Sequence, residues 1–224
     1  IDIARELIDN DNDKHKNTSS LSIFTKTAEN RIFKEIKKTL LKLNLKFDNY
    51  FNEQSLYDSG AIKNVINILK KKNLIYEKDG ATWFKATKAG REQDRVIIKS
   101  SGEPTYRLPD IAYHQDKIER GYDLIVDILG ADHMDAYPDV IAAIEQMNYS
   151  SENIKVLIHQ FVTLTKNGEP VKMSTRKAQY VTLDELIEEV GVDVTRYFFL
   201  MRGMNSHLNF DMDLAKDESD ENPV

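Results

Sequence analysis

The feature that most limits the fold is an alternation of helix and strand across residues 109–164. Pro109 suits the first turn of a helix running to about Arg120, and Gly121 closes it. The apolar run LIVDIL (124–129) predicts a core strand, and GADH (130–133) predicts a turn. Val140, Ile141, Ile144 and Met147 then recur at helical spacing. A second apolar run, IKVLIHQFVTL (154–164), predicts one buried strand. Strands that alternate with helices argue for an α/β fold with a parallel, doubly wound sheet.

The second strand runs into KMSTRK (172–177), a basic, hydroxyl-rich stretch. Six residues without Gly or Pro make a poor tight turn, which favours a functional loop over an ordinary one. Thr182 and Glu185 form a capping box, so a helix starts there and ends at Gly191. DVTRYFFLMR (193–202) predicts a further apolar helix.

Upstream the rhythm differs. Residues 2–9 read as a short helix and 11–20 as a polar loop. Ile32, Ile36, Leu40 and Leu43 mark one long amphipathic helix over about 27–45, with Lys34, Lys37, Lys38 and Lys42 interleaved. FDNYFNEQS (47–55) reads as a strand entering a loop, and 58–72 as a helix. The segments 74–78, 81–86 and 95–100 are strand-like, and Asp79-Gly80 signals a hairpin between the first two. This β-rich part, about 55–104, has the character of an insertion.

Composition narrows the classes. Cysteine is absent, which excludes disulfides, thiolate metal sites and a thiol nucleophile, and fits a cytoplasmic protein. The net charge of −6 excludes a bulk-basic nucleic-acid binder, so RNA contact would need a local basic patch. No apolar run approaches the ~20 residues that span a bilayer, and the opening residues carry no signal-peptide core. Both ends read as cut, so the chain is expected to be an interior piece of something longer. P-loop, dinucleotide, zincin and α/β-hydrolase motifs are all missing.

Several residues are candidates for chemistry. Asp132 and His133 follow a core strand, where open α/β sheets bind ligands; a polar loop with a capping Asp is the plainer reading. Tyr106 and Asp110 stand at the mouth of the helix after 105, although an Asp in a first turn is also favoured by the helix dipole. Glu53 taken alone is a solvated carboxylate. Lys172 with the hydroxyls of Ser174 and Thr175 could hold phosphate oxygens. The lysines of 31–46 and 63–72 could touch an RNA backbone, but solvated helix faces account for them. Met201, Met204, Phe198 and Phe199 are expected in the core.

In order, FDNYFNEQSLYDSG (47–60), EKDGATWF (77–84), GEPTYRLPDIAYHQDKIERGYD (102–123), GADH (130–133), VKMSTRKAQYVTLDELIEEVGVD (171–193) and SHLNFDMDLAKDESDENPV (206–224) resemble the class I aminoacyl-tRNA synthetases, and within them the bacterial arginyl-tRNA synthetases. The resemblance implies a Rossmann-like catalytic domain with a parallel sheet, a small β-rich insertion and a C-terminal helical stem-contact region. It divides the chain into 1–54, part of the catalytic domain; 55–104, the inserted connective subdomain; 105–170, the second catalytic half; and 171–224, the KMSKS-type loop and stem-contact region. The implied reaction is ATP-dependent activation of L-arginine to an adenylate, followed by transfer to tRNA(Arg). ATP arrives with Mg2+ as substrate, no tightly bound cofactor is implied, and the intact enzyme is expected to be a cytoplasmic monomer.

The resemblance also distributes roles. Lys172, Met173 and Ser174 fall on the loop that closes over ATP, with Lys172 and Ser174 in catalytic positions. Glu53, Tyr106 and Asp110 fall on contacts to the arginine side chain. A guanidinium is a planar fork of five donors, so selecting it over lysine calls for carboxylates placed for bidentate bonds. His133 falls on a contact to the substrate amino acid, and Asp132 and His133 lie on the adenosine side.

Two departures stand out. Thr175 replaces the second lysine of KMSKS, so another cation must take its role. None of His15, His114, His133, His159 and His207 makes the H-x-G-H signature. The isolated chain is therefore expected to have weak or no activity. Two alternatives remain at this point: another KMSKS-type adenylate-forming nucleotidyltransferase, and a non-catalytic RNA-binding paralogue.

Overall fold

The computed structural model describes residue 5, residues 22–171 and residues 181–217. The expected helix over 2–9, the loop over 11–20 and the KMSTRK stretch lie outside those residues, Arg5 apart. The chain divides into two compact units. One comprises Tyr50–Thr163 and Arg202–Asn209, the other Ile1–Asn49, Leu164–Met201 and Phe210–Val224. Helices are numbered here in chain order, beginning with α1 (Ser22–Lys42).

The first unit starts with α2 (Gln54–Asp58) and α3 (Ala61–Lys71). The expected strand over 47–55 does not form. The Asn52 side chain accepts the Gln54 N–H at 2.8 Å and the Ser55 hydroxyl donates to Asn52 O at 2.6 Å, which bends the chain into a helical turn. In α3, Ile62, Val65 and Leu69 recur on one face and all are buried.

A three-stranded antiparallel sheet follows, in order β1 (Ile75–Lys78), β2 (Ala81–Phe84), β3 (Arg95–Ile98). Asp79 and Gly80 both have positive φ, 54° and 73°, as a two-residue turn matched to strand twist requires. Tyr76 and Trp83 are directly opposed across this hairpin and their rings stack at 6.3 Å.

Next come α4 (Arg107–Glu119), β4 (Ile125–Gly130), a 3-10 turn (Ala131–His133), α5 (Tyr137–Gln146) and β5 (Ile154–His159). β4 and β5 pair in parallel, from Ile125 opposite Ile154 to Gly130 opposite His159. This is the expected βαβ unit, with α5 as its crossover. One core joins these elements: Val65 and Leu69 of α3, Phe84 of β2, Ile97 of β3, Leu108 and Ile111 of α4, and Val140 and Ile144 of α5. β4 buries Ile125, but Val126 and Ile128 on its other face are exposed, so among the described residues only one face of this apolar strand is covered.

The run 154–164 is two strands, not one. β5 pairs with β4, whereas β6 (Val162–Lys166) belongs to a separate sheet ordered β7 (Glu169–Pro170), β6, β8 (Leu208–Asp211). At the break the Gln160 N–H donates to Met204 O at 2.8 Å, which takes that residue out of the β4 ladder. Both halves are apolar, and the polar pair His159-Gln160 at the joint is the local signal of the break.

In the second unit α6 (Leu183–Val190) begins with the full capping box: Thr182 Oγ accepts the Glu185 N–H at 3.1 Å, and Glu185 accepts the Thr182 N–H at 2.7 Å. α7 (Val192–Leu200) buries Thr195 and Phe198, and Phe198 meets Phe210 at 4.8 Å between ring centres. Met201 and Met204, expected in the core, are exposed because they lie past the last turn of α7. The stripe of α1 is likewise open at Ile32 and Ile36, so good helix-forming residues such as Lys, Glu, Leu and Ala support this helix more than burial does.

Candidate active site

The site is built on the first two turns of α4. Ahead of it the Thr105 hydroxyl donates to Val96 O at 2.9 Å and the Thr105 N–H to Ile97 O at 2.8 Å, so the helix start is tied to β3. Tyr106 is the N-cap, and the Asp110 N–H donates to its carbonyl at 3.2 Å. Tyr106 and Asp110 therefore share one helix face, one turn apart. The Tyr106 ring is 89% exposed.

Asp110 is half-buried, and among the described residues nothing hydrogen-bonds or ion-pairs with its carboxylate. Burial raises its pKa above the ordinary carboxylate value, while His114, His133 and Lys117 pull against that rise. A partly desolvated acceptor without a donor is costly unless a ligand supplies one.

Asp127, on β4, is the contrast. His114 Nε2 lies 2.9 Å from its Oδ2, and Lys117 Nζ donates to its Oδ1. Burial would raise this carboxyl as well, but the hydrogen bonds from His114 and Lys117 outweigh it and hold the pKa at about 2. Of the two neighbouring carboxylates, Asp127 is fully engaged and Asp110 is open.

His133 sits in the turn after β4 with Nε2 3.9 Å from Asp132 Oδ2, and both side chains are exposed. His133 is close enough to Asp110 to act on its charge. The Asp132 carboxylate folds back over Gly130, where a Cβ would meet its Oδ1 at 2.5 Å. Glu53 is the exposed N-cap of α2. Among the described residues no hydrogen bond or ion pair joins Glu53 to Tyr106 or Asp110; its resolved influence is on Tyr57, whose pKa is raised by burial and then by Glu53. Lys172, Met173 and Ser174 lie outside the described residues.

Two groups escaped the sequence reading. His114 and Lys117 follow Asp110 at four and seven residues on the same helix, and Asp127 is the single charge inside LIVDIL; both were available signals. The other group is a carboxylate with three guanidiniums. Asp139, 1% exposed, receives Arg91 Nε and Arg107 Nε at 3.0 Å each. Arg95 Nε approaches it at 2.8 Å as an ion pair without hydrogen-bond alignment, and Arg95 donates to Asp135 at 3.1 Å. Arg91 and Arg95 share one stretch, but Arg107 starts α4 and Asp139 lies on α5, so no local spacing announces the cluster.

The family model described as tRNA synthetases class I (R), catalytic domain, matches residues 2–200. The chain belongs to that family. Arginine–tRNA ligases of Desulfotalea psychrophila and Salinibacter ruber are each 53% identical to it over 224 residues, which is all of this chain and 41% and 40% of theirs. The chain thus spans about two fifths of the length of the curated relatives it matches. A crystal structure assigned to an arginyl-tRNA synthetase of Campylobacter jejuni superposes with a TM-score of 0.81 at 34% identity, covering 99% of this chain and 48% of that one. The arginyl-tRNA synthetase of Thermus thermophilus, at 18% identity and a TM-score of 0.66 over 83% of this chain and 41% of that one, shares the fold.

Proposed function

We propose that this chain carries part of the active site of an arginine–tRNA ligase, which activates L-arginine with ATP and passes it to tRNA(Arg). The observation that carries this reading is the open, half-buried Asp110 carboxylate one helix turn from the exposed Tyr106. A guanidinium supplies the paired N–H donors and the counter-charge that Asp110 lacks. Tyr106 offers a ring face and a hydroxyl beside it, Glu53 a second carboxylate, and His133 a polar contact to the amino-acid end. Asp132 and His133 serve the adenosine side. Lys172, Met173 and Ser174 close over the triphosphate of Mg2+-ATP, with Lys172 and Ser174 stabilising charge as the arginine carboxylate attacks the α-phosphorus. Among the described residues no helix is long and apolar enough to cross a membrane, and a cytoplasmic monomer is part of this reading.

The division into 1–54, 55–104, 105–170 and 171–224 belongs to the same proposal, supported in its second part by the antiparallel sheet β1–β3. Thermal unfolding with L-arginine, and L-lysine as control, tests the function. A ligand that binds the native state raises the melting temperature. A shift with arginine and none with lysine is expected; equal shifts, or none with either, would overturn the assignment of the pocket to this chain.

A further inference from the structure

We propose that His114 is a positioning residue for Asp110: it locks this turn of α4 to β4 and supplies part of the positive charge that faces the Asp110 carboxylate. The inference rests on the reading of Asp110 as a guanidinium contact. The geometry is a bridge. His114 Nδ1 lies 2.8 Å from Asp110 O, and Nε2 lies 2.9 Å from Asp127 Oδ2. One ring therefore spans from the backbone of the candidate residue to a strand of the parallel sheet.

Asp127 is held in turn from its other oxygen by Lys117 Nζ, which sits 4.9 Å from the centre of the Tyr113 ring. The His114, Lys117 and Asp127 side chains are each 13% exposed or less, so their rotamers are set by the surrounding structure. The bridge matters because bidentate recognition of a guanidinium tolerates little misplacement of the carboxylate. Core packing through Leu108 and Ile111 seats α4, and His114 adds a polar tie to β4 at the level of Asp110, beside the one from Lys117 one turn on.

The same arrangement explains why Asp110 and not Asp127 is left open. Asp127 takes the side-chain contacts of both His114 and Lys117, while both residues still act on the charge of Asp110. The charged groups facing Asp110 are His114 and Lys117 on α4, Asp127 on β4 and His133 in the turn after it.

Two variants separate this role from plain packing. His114→Phe keeps a ring and removes both polar contacts. His114→Gln keeps a donor that reaches Asp127. Calorimetric titration of the chain with L-arginine is expected to show about tenfold weaker binding for His114→Phe and a loss within about threefold for His114→Gln, the tenfold step corresponding to ~1.4 kcal/mol. ATP affinity should stay unchanged in both. Equal affinity in wild type and His114→Phe, no rescue by Gln, or a parallel fall in ATP affinity would overturn the proposal.

A second readout needs no ligand. The side-chain carboxyl 13C resonance of Asp110, followed against pH, should titrate higher in His114→Phe than in wild type, because an opposing charge has gone. If arginine fails to bind wild type but this midpoint moves, the functional reading falls and the coupling stands. An unmoved midpoint in a folded variant overturns the coupling itself.

Discussion

Arg107 Nε donates to Asp139 Oδ2 at 3.0 Å and so fastens the residue beside Tyr106 to the first turn of α5. Asp139 is 1% exposed and also meets Arg91 and Arg95. Removing one member of a buried ion cluster leaves uncompensated charge. Asp139→Ala is expected to destabilise the chain by about 3 kcal/mol, read from its urea-unfolding midpoint. A midpoint within error of wild type would mean that water already screens the three guanidiniums.

Asp110→Asn should separate binding from stability. Asn keeps the shape and loses the charge, and a hydrogen bond to a charged group is worth about 1.5–3 kcal/mol. Arginine affinity is expected to fall by about 10–100-fold on that basis. Thermal stability without ligand should be retained or rise slightly, because a half-buried unpaired charge has been removed. A variant that binds arginine normally would exclude Asp110 from the pocket.

Asp110 also predicts how binding follows pH. Its pKa is raised in the fold, whereas a bound guanidinium requires the ionised form. Arginine affinity should therefore weaken as pH falls through the raised pKa of Asp110, with proton release on binding in that range. Calorimetry in buffers of different ionisation enthalpy measures the release, and zero release throughout would refute the prediction.

Acid stability follows Asp127 with the opposite sign. Its carboxyl titrates near 3.9 in an unfolded chain and is held at about 2 in the fold. A depressed acid stabilises the fold above its unfolded value, and that contribution is lost as pH drops from about 4 to about 2. The contribution is about 2–3 kcal/mol by this linkage. Asp127→Asn should flatten this limb of stability against pH, and an identical limb in the variant would show that other carboxylates carry it.

Thr182→Ala removes the side-chain half of the α6 capping box and should cost about 1 kcal/mol in chemical denaturation. No measurable loss would mean that Glu185 alone satisfies the helix start.

Local chemistry was legible in the amino-acid order by itself. The Thr182–Glu185 cap, the Asp79-Gly80 hairpin, a helix within 58–72, and the placing of Tyr106 and Asp110 at the mouth of a helix all rest on interactions within a few residues. The ordered motifs also sufficed to name the family. Tertiary structure decided what depends on distant partners. It split the run 154–164 between two sheets through the bond from Gln160 to Met204, and it left Met201 and Met204 outside the core. It gathered Arg91, Arg95 and Arg107 on Asp139, and it gave Asp127 both of its donors while leaving Asp110 open. Burial and pairing are properties of neighbours in space, so a carboxylate reads the same in the sequence whether it is saturated or waiting for a ligand.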